Sequence, residues 1–256
     1  SKTKIQIIPT HYLTHPADLD PYLDANQTEE IYNKDLDERV EMYSDEAIEA
    51  SKEISFDVIH AHDWLTAIAA LKIREKSGKP LIFHVHSLNY DRAGPDEQGQ
   101  IYNLEKQVLQ KADHVIAVSH YTKKICIDYY DADPEKISVI HNGISPIQAY
   151  RHPKPFPDHL VVFLGRMTRQ KGPSHFLEIA RKVLSQISNV RFVMAGTGDQ
   201  LKTLMTKSIR LGIANRCHFT GFLGREKIRD LLSMADVYCM PSISEPFGLS
   251  ALEAAQ

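Results

Sequence analysis

No stretch of this 256-residue chain is apolar for long enough to span a bilayer, and its first residues carry no signal-like hydrophobic region. An integral membrane protein is therefore not expected. Cysteine is scarce: Cys126, Cys217 and Cys239 are odd in number, scattered and without paired spacing. That excludes a disulfide scaffold and points to a reduced, cytoplasmic setting. No single sign of charge dominates either. With 30 Lys and Arg against 33 Asp and Glu the formal net charge is -3, which gives no basic footprint for nucleic acid. Internal repeats and low-complexity segments are absent. A soluble enzyme of one large or two modest domains fits this length.

Short apolar runs alternating with helical patterns are the mark of parallel α/β folds. Residues 56–62, 81–87, 114–119 and 137–142 read as strands, with helices over 64–76, 101–111 and 121–130 between them. Pro146, Pro153, Pro155 and Pro157 then crowd into a stretch that cannot continue a helix or a central strand. The boundary is placed there, giving domains 1–146 and 147–256. In the second, residues 160–166, 190–196, 217–222 and 237–241 read as strands, and 173–184, 200–211 and 226–234 as helices. Upstream, 4–8 suggests a strand and the acidic stretch 29–53 a helix. Two such sheets would each turn the carboxyl ends of their strands to a central cleft, the usual ligand position in open α/β sheets. Arg166, Gly196, Phe222 and Glu245 fall at or beyond strand ends in the second half. His62, His86, Ser119 and Asn142 do so in the first.

The densest chemistry lies in Glu245-Pro246-Phe247-Gly248-Leu249-Ser250-Ala251-Leu252-Glu253. Pro246 and Gly248 break a preceding buried strand into a loop, and Leu249 to Ala255 has the composition of a helix start. Free backbone N–H groups and the positive dipole end at that start suit an anion. Glu245 would sit in the loop and Glu253 one to two turns into the helix. Gly196-Thr197-Gly198 invites a dinucleotide reading, but the third glycine of that fingerprint would fall on Leu201, so a NAD site is not expected.

This segment resembles the E-x7-E signature of retaining nucleotide-sugar glycosyltransferases of GT-B architecture, of the glycogen synthase and sucrose synthase-like kind. Gly165-Arg166 with Lys171-Gly172, Ala195-Gly196-Thr197-Gly198, Phe219-Thr220-Gly221-Phe222 and His141-Asn142-Gly143-Ile144 match in order and spacing. The resemblance implies two Rossmann-like domains, an acceptor-side one and a donor-side one. It also implies transfer with retention from a nucleotide-diphosphate sugar to a carbohydrate acceptor. Arg166 and Lys171 would bind the diphosphate: fixed cations stabilise the charge that gathers on the leaving group, Arg as a fork and Lys as a point charge. Glu245 would take donor-sugar hydroxyls and Glu253 the ribose, with Gly165, Gly196, Gly198, Phe222, Phe247, Gly248 and Leu249 on the donor side. Phe222 reads equally as a core aromatic.

His86 matches the family position nearest the reacting carbon. His62-Asp63-Trp64 resembles the HDW motif of starch and glycogen synthases beside the acceptor path. Asp91 and Arg92 read either as acceptor-side residues or as a loop ion pair. The segments 84–94 and 101–106 look most like glucan-forming members, which suggests ADP-glucose or UDP-glucose as donor and an α-glucan as acceptor. Mannosyl or N-acetylhexosaminyl transfer to a lipid or small molecule, and a non-catalytic nucleotide-sugar binding module, stay open as alternatives. Peripheral membrane contact stays open with them, because several relatives glycosylate lipids. His60, His62, His84 and His86 lie at i,i+2 in two pairs, each projecting to one face of its strand. Only Asp63 could complete a metal set, and the architecture usually needs none, so neither metal nor cofactor is expected. No residue stands out as a covalent nucleophile.

The chain also reads as truncated at both ends, with an incomplete C-terminal domain and little transferase activity of its own. Ser1 to Pro9 contain no glycine where the family has a Gly-rich loop. Gln256 stops inside the last helix without a terminating Gly, Asn or Pro.

Overall fold

A computed structural model describes residues 25–145 and 153–256, with side chains described from Glu38 onward. The expected strand at 4–8 lies outside the described residues. The chain divides into two compact units, which part between His141 and Asn142.

The first described element of the first unit is a long helix, α1 (Ala25–Lys52), followed by β1 (Ile59–His62). Next come α2 (Ala67–Ser77), β2 (Leu81–Val85), a short α3 (Asn89–Ala93), α4 (Gln100–Lys111) and β3 (His114–Ala117). The unit closes with α5 (His120–Tyr130) and β4 (Ile137–Val139). The four strands are parallel, in the order β1-β2-β3-β4. Local chemistry sets the element ends. Gly78 adopts the left-handed conformation at φ 67° and closes α2 by donating its N–H to the Arg74 carbonyl. Ser119 caps α5 by accepting the Thr122 N–H. The helix α3 is absent from the sequence reading, because five residues are too few to show a period.

Burial in β1 and β2 alternates strictly. Ala61, Leu81, Phe83 and Val85 pack with Ala67, Ala70, Val108, Leu109, Ile125, Cys126 and Tyr130 from α2, α4 and α5. The alternate residues His60, His62 and His84 fall outside this core. One face of the strand pair is therefore apolar and the other is lined by imidazoles, as a period of two requires. The helix α1 packs chiefly on α2, and Ile59 of β1 packs against the same cluster. Val40, Tyr43, Ala47 and Ile48 of α1 pack on Ala69 and Ile73 of α2 as a separate layer.

The second unit comprises β5 (His159–Leu164), α6 (Pro173–Leu184), β6 (Val190–Ala195), α7 (Leu201–Arg210), β7 (Cys217–Gly221), α8 (Arg225–Met234), β8 (Val237–Tyr238) and α9 (Leu249–Ala255). Its strands are parallel in the order β7-β6-β5-β8. Both faces are covered here. Phe163, Phe192 and Met194 meet Phe176 and Leu177 of α6 on one side, while Leu160, Val162, Val193 and Ala195 meet Leu231 of α8 on the other. Full burial of each such large side chain stabilises by about 1.5–3 kcal/mol. The consequence for function lies in the order. Successive strands move away from β5 in one direction through β6 and β7, and then β8 returns to the opposite side. The carboxyl ends of β5 and β8 thus flank a topological switch point, where ligands of open α/β sheets bind.

Candidate active site

Within the second unit, the loops leaving β5 and β8 bring three of the expected donor residues into one neighbourhood. Gly165 and Arg166 follow β5 directly, and Arg166 is exposed. A single 3₁₀ turn, Arg169–Lys171, then leads through Gly172 into α6, with Pro173 at the first helical position. Gly172 has φ 65°, and a Cβ there would lie 2.0 Å from the Pro241 carbonyl oxygen. Only glycine allows the loop after β8 to close on this turn. The Gln170 carbonyl accepts the Ile243 N–H at 2.8 Å and completes the clamp.

That clamp makes the central contact of the site. Lys171 Nζ donates to both oxygens of Glu245, at 2.9 and 2.8 Å, with the two side chains 21% and 18% exposed. Ser242 Oγ donates to the same carboxylate at 3.0 Å. Sequence reasoning assigned Lys171 and Glu245 to different parts of a ligand and gave no hint that they touch, 74 positions apart. Glu253, on α9, is partly exposed. Both carboxylates act on Tyr238: burial first, then Glu245 and Glu253, raise its phenol above the ordinary value. Tyr238 donates to Ser250 Oγ at 2.7 Å, tying α9 to the end of β8. Ser242, Tyr238 and Ser250 were all missed. The three-residue interval from Ser242 to Glu245 was the one signal available, because it keeps the two side chains close along the chain.

Gly196 and Gly198 answer to a different constraint from the one expected. A Cβ on Gly196, at φ 135°, would lie 2.0 Å from the Gly165 carbonyl oxygen, and one on Gly198 would meet the Met167 backbone from 2.7 Å. These glycines let the turn after β6 pack on the chain's own Gly165–Met167 segment, where Met167 N–H bonds the Thr197 carbonyl at 2.7 Å. They thereby fix the backbone on which Arg166 stands. Phe222 is 60% exposed just past β7, so the core-aromatic reading of it fails. Phe247 is partly buried, Gly248 begins α9 at φ 84°, and Leu249 is exposed. Glu245 itself lies well beyond the two-residue β8 rather than at its end.

In the first unit, His62 ends β1 and His86 follows β2, and their rings meet: His62 Nδ1 lies 2.9 Å from His86 Nε2. Asp63, at φ 56°, accepts the backbone N–H groups of His86 at 2.7 Å and Ser87 at 3.3 Å. Its carboxyl is held above the ordinary value, burial outweighing those two bonds. Asp63 therefore joins the ends of β1 and β2 and positions His86. Asp91 and Arg92 do not pair as a loop ion pair. Asp91 is buried and accepts the Leu88 N–H at 2.8 Å, capping α3. Arg92 instead meets Glu105 at 2.6 Å. Glu105, 1% exposed, also accepts the Asn89 N–H at 2.8 Å and the Tyr130 hydroxyl at 2.9 Å. Burial raises its carboxyl, and Arg92 is the strongest group opposing that rise. Asp91 and Arg92 thus build the segment after β2 from within.

Two family models match the chain in succession. Residues 38–147 match Glycosyltransferase Family 4, and residues 147–256 match Glycosyl transferases group 1. An uncharacterized glycosyltransferase of Methanocaldococcus jannaschii is 30% identical over 78% of this chain and 55% of its own length. The glycogen synthase of Mycobacterium tuberculosis is 28% identical over 78% of this chain and 50% of its own. Among solved structures, sucrose-phosphate synthase from Thermosynechococcus elongatus superposes with a TM-score of 0.72 at 22% identity, over 87% of this chain and 59% of that one. The likeness is one of fold: two Rossmann-like units of GT-B type. The chain spans about half the length of the curated relatives it matches.

Proposed function

The chain belongs to the group 1 glycosyltransferase superfamily of GT-B type, and from that premise we propose that the protein is a retaining hexosyltransferase. In this reading it moves glucose from ADP-glucose or UDP-glucose to a carbohydrate acceptor of the α-glucan class. The observation that carries the reading is the meeting of Lys171 and Glu245 at the switch point of the second sheet, with Arg166 on the adjoining loop. A nucleoside diphosphate seated there would find a fork and a point charge for its phosphates. Glu245, already bound to Lys171, would turn its remaining acceptor capacity to sugar hydroxyls.

As the anomeric bond breaks, negative charge gathers on the departing diphosphate, and cations fixed beforehand stabilise it without reorganisation. The diphosphate then takes the proton of the incoming hydroxyl on the same face, so the anomeric configuration is kept without a covalent enzyme intermediate. Glu253 serves the ribose, and the exposed Phe222 offers a flat apolar surface to the base. In the first unit His86, oriented by Asp63 and His62, serves the sugar near the reacting carbon, and His62 and Asp63 the acceptor side. The relationship to a glycogen synthase supports glucose and an α-glucan. Three free cysteines support a cytoplasmic setting. No described helix is long and apolar enough to cross a membrane.

Isothermal titration of the protein with ADP-glucose, UDP-glucose, GDP-mannose and UDP-N-acetylglucosamine tests the donor. Saturable binding of one of the glucose donors in preference to the other two sugars is expected. Preference for mannose or N-acetylglucosamine would overturn the sugar, and failure of all four to bind would overturn the site. NMR of any transfer product reads the anomeric configuration, and inversion would refute the retaining assignment.

A further inference from the structure

The sequence shows two histidine pairs, and the fold turns them into one cluster. In the parallel pairing of β1 with β2, His62 stands opposite His84 and His60 opposite Ile82. Residues two apart share a face, and register partners share it too, so all four imidazoles leave the strand pair on the same side. Their rings crowd together: His60 and His62 stack with centroids 4.5 Å apart and His84 and His86 at 4.3 Å, while His62 and His84 are tilted to each other at 5.0 Å. Ala61, Phe83 and Val85 fill the opposite face, so none of these rings can turn inward.

Two features set this cluster apart from histidines that merely face water. Both ring nitrogens of His84 are buried and have no hydrogen-bond partner among the described residues. An imidazole carries a donor and an acceptor, and burying them unpaired costs free energy that a ligand would recover. Second, one nitrogen from each of His60, His62 and His84 lies within 4.8 Å of the others. Tetrahedral zinc with Zn–N bonds of 2.0–2.1 Å asks for nitrogens roughly 3.4 Å apart. Rotations about χ2 of the exposed His60 and His62 are the movement available to bring them in.

We propose that His60, His62 and His84 form a site for a divalent transition metal of the zinc class. Imidazole suits zinc, nickel and copper rather than magnesium or calcium. A pair at i,i+2 on one strand with a third histidine from its neighbour supplies three nitrogens on one side of the ion, and the fourth position is left to water or a small anion. The contact from His62 Nδ1 to His86 plays the part that outer partners of metal-bound histidines play, fixing the ring and its tautomer. The expectation of no metal weighed the four histidines together and set against them the lack of any Cys or carboxylate but Asp63 to complete the set. Asp63 is committed to backbone N–H groups, and the third ligand comes from across the register.

The test uses the protein freed of metal by chelation and dialysis, then titrated with Co²⁺ followed by optical absorption, with Zn²⁺ as competitor. One saturable Co²⁺ site displaced by Zn²⁺ is expected. His60→Ala and His84→Asn should each weaken it by at least about tenfold. His114→Ala is the control, since His114 lies on the same face but bonds Ser138. Because His60 is exposed, His60→Ala keeps the test sound even if His84→Asn disturbs the fold. Absence of saturable binding at micromolar metal, or binding untouched by both variants, overturns the proposal.

Discussion

Replacing Lys171 by alanine while leaving Glu245 in place removes a cation that bridges both oxygens of a carboxylate at 2.8–2.9 Å. With four-fifths of each side chain withdrawn from water, the contact is screened far less than a surface ion pair. Two effects then act on a bound nucleoside diphosphate. One charged hydrogen bond to phosphate is lost, worth about 1.5–3 kcal/mol. The Glu245 carboxylate, which keeps the Ser242 hydroxyl, also faces the phosphate as a like charge. The first effect by itself weakens binding by roughly ten- to 150-fold, at about 1.4 kcal/mol per decade; the second pushes the loss toward or past the upper end. Glu245→Gln keeps the shape, frees Lys171 and should leave UDP or ADP affinity no weaker than wild type, while weakening the sugar-bearing donor. The double variant should lose less nucleotide affinity than Lys171→Ala alone, a non-additivity expected only of residues in contact. Calorimetry of wild type and the three variants with UDP, ADP and their glucose conjugates reads all of this. If Lys171→Ala binds nucleotide as wild type does, or if the two single losses simply add, the lysine does not serve phosphate through this pair.

Two further outcomes concern the first unit, whose unfolding is reported by Trp64, the chain's one tryptophan. Glu105→Ala strands Arg92, the Asn89 N–H and the Tyr130 hydroxyl around a buried gap. It should lower stability by about 3–5 kcal/mol in urea titrations followed by Trp64 fluorescence, and Glu105→Gln by less; a loss within about 0.5 kcal/mol for alanine would show that the network contributes nothing. Asp113 accepts Arg74 Nε at 3.0 Å, Arg74 Nη2 at 3.1 Å and the Leu81 N–H at 2.8 Å, and its carboxyl is lowered from 3.8 to about 2, the Arg74 contact first among the causes. A depressed carboxylate contributes stability that is present above its unfolded value and is lost as pH falls through the folded one. The difference in urea midpoint between wild type and Asp113→Asn should therefore be constant above about pH 5 and shrink toward pH 2; a difference independent of pH would remove the role of the charge.

What the sequence by itself determined is local. Short apolar runs such as Leu81 to Val85, the proline opening α6 and the breaker residues between elements placed most strands and helices to within a few positions. Each depends on the nearest neighbours along the chain and on a period of two or 3.6. The helix over 173–184 needed nothing more. Motif order likewise singled out Arg166, Lys171, Glu245 and Glu253 as candidates, since a motif needs only positions along the chain. Three things were decided only by the tertiary structure. Lys171 and Glu245 form a pair because β8 crosses to the far side of β5 and Gly172 has no side chain to keep the Pro241 loop away. Gly196 and Gly198 serve an approach of backbone to backbone that no spacing along the chain encodes. The histidines form one cluster because β1 and β2 pair in one particular register. A shift by a single residue would send His84 to the apolar face and leave His60 and His62 alone. Register and strand order are chosen by the burial energy of the whole sheet, and no window of sequence contains that sum.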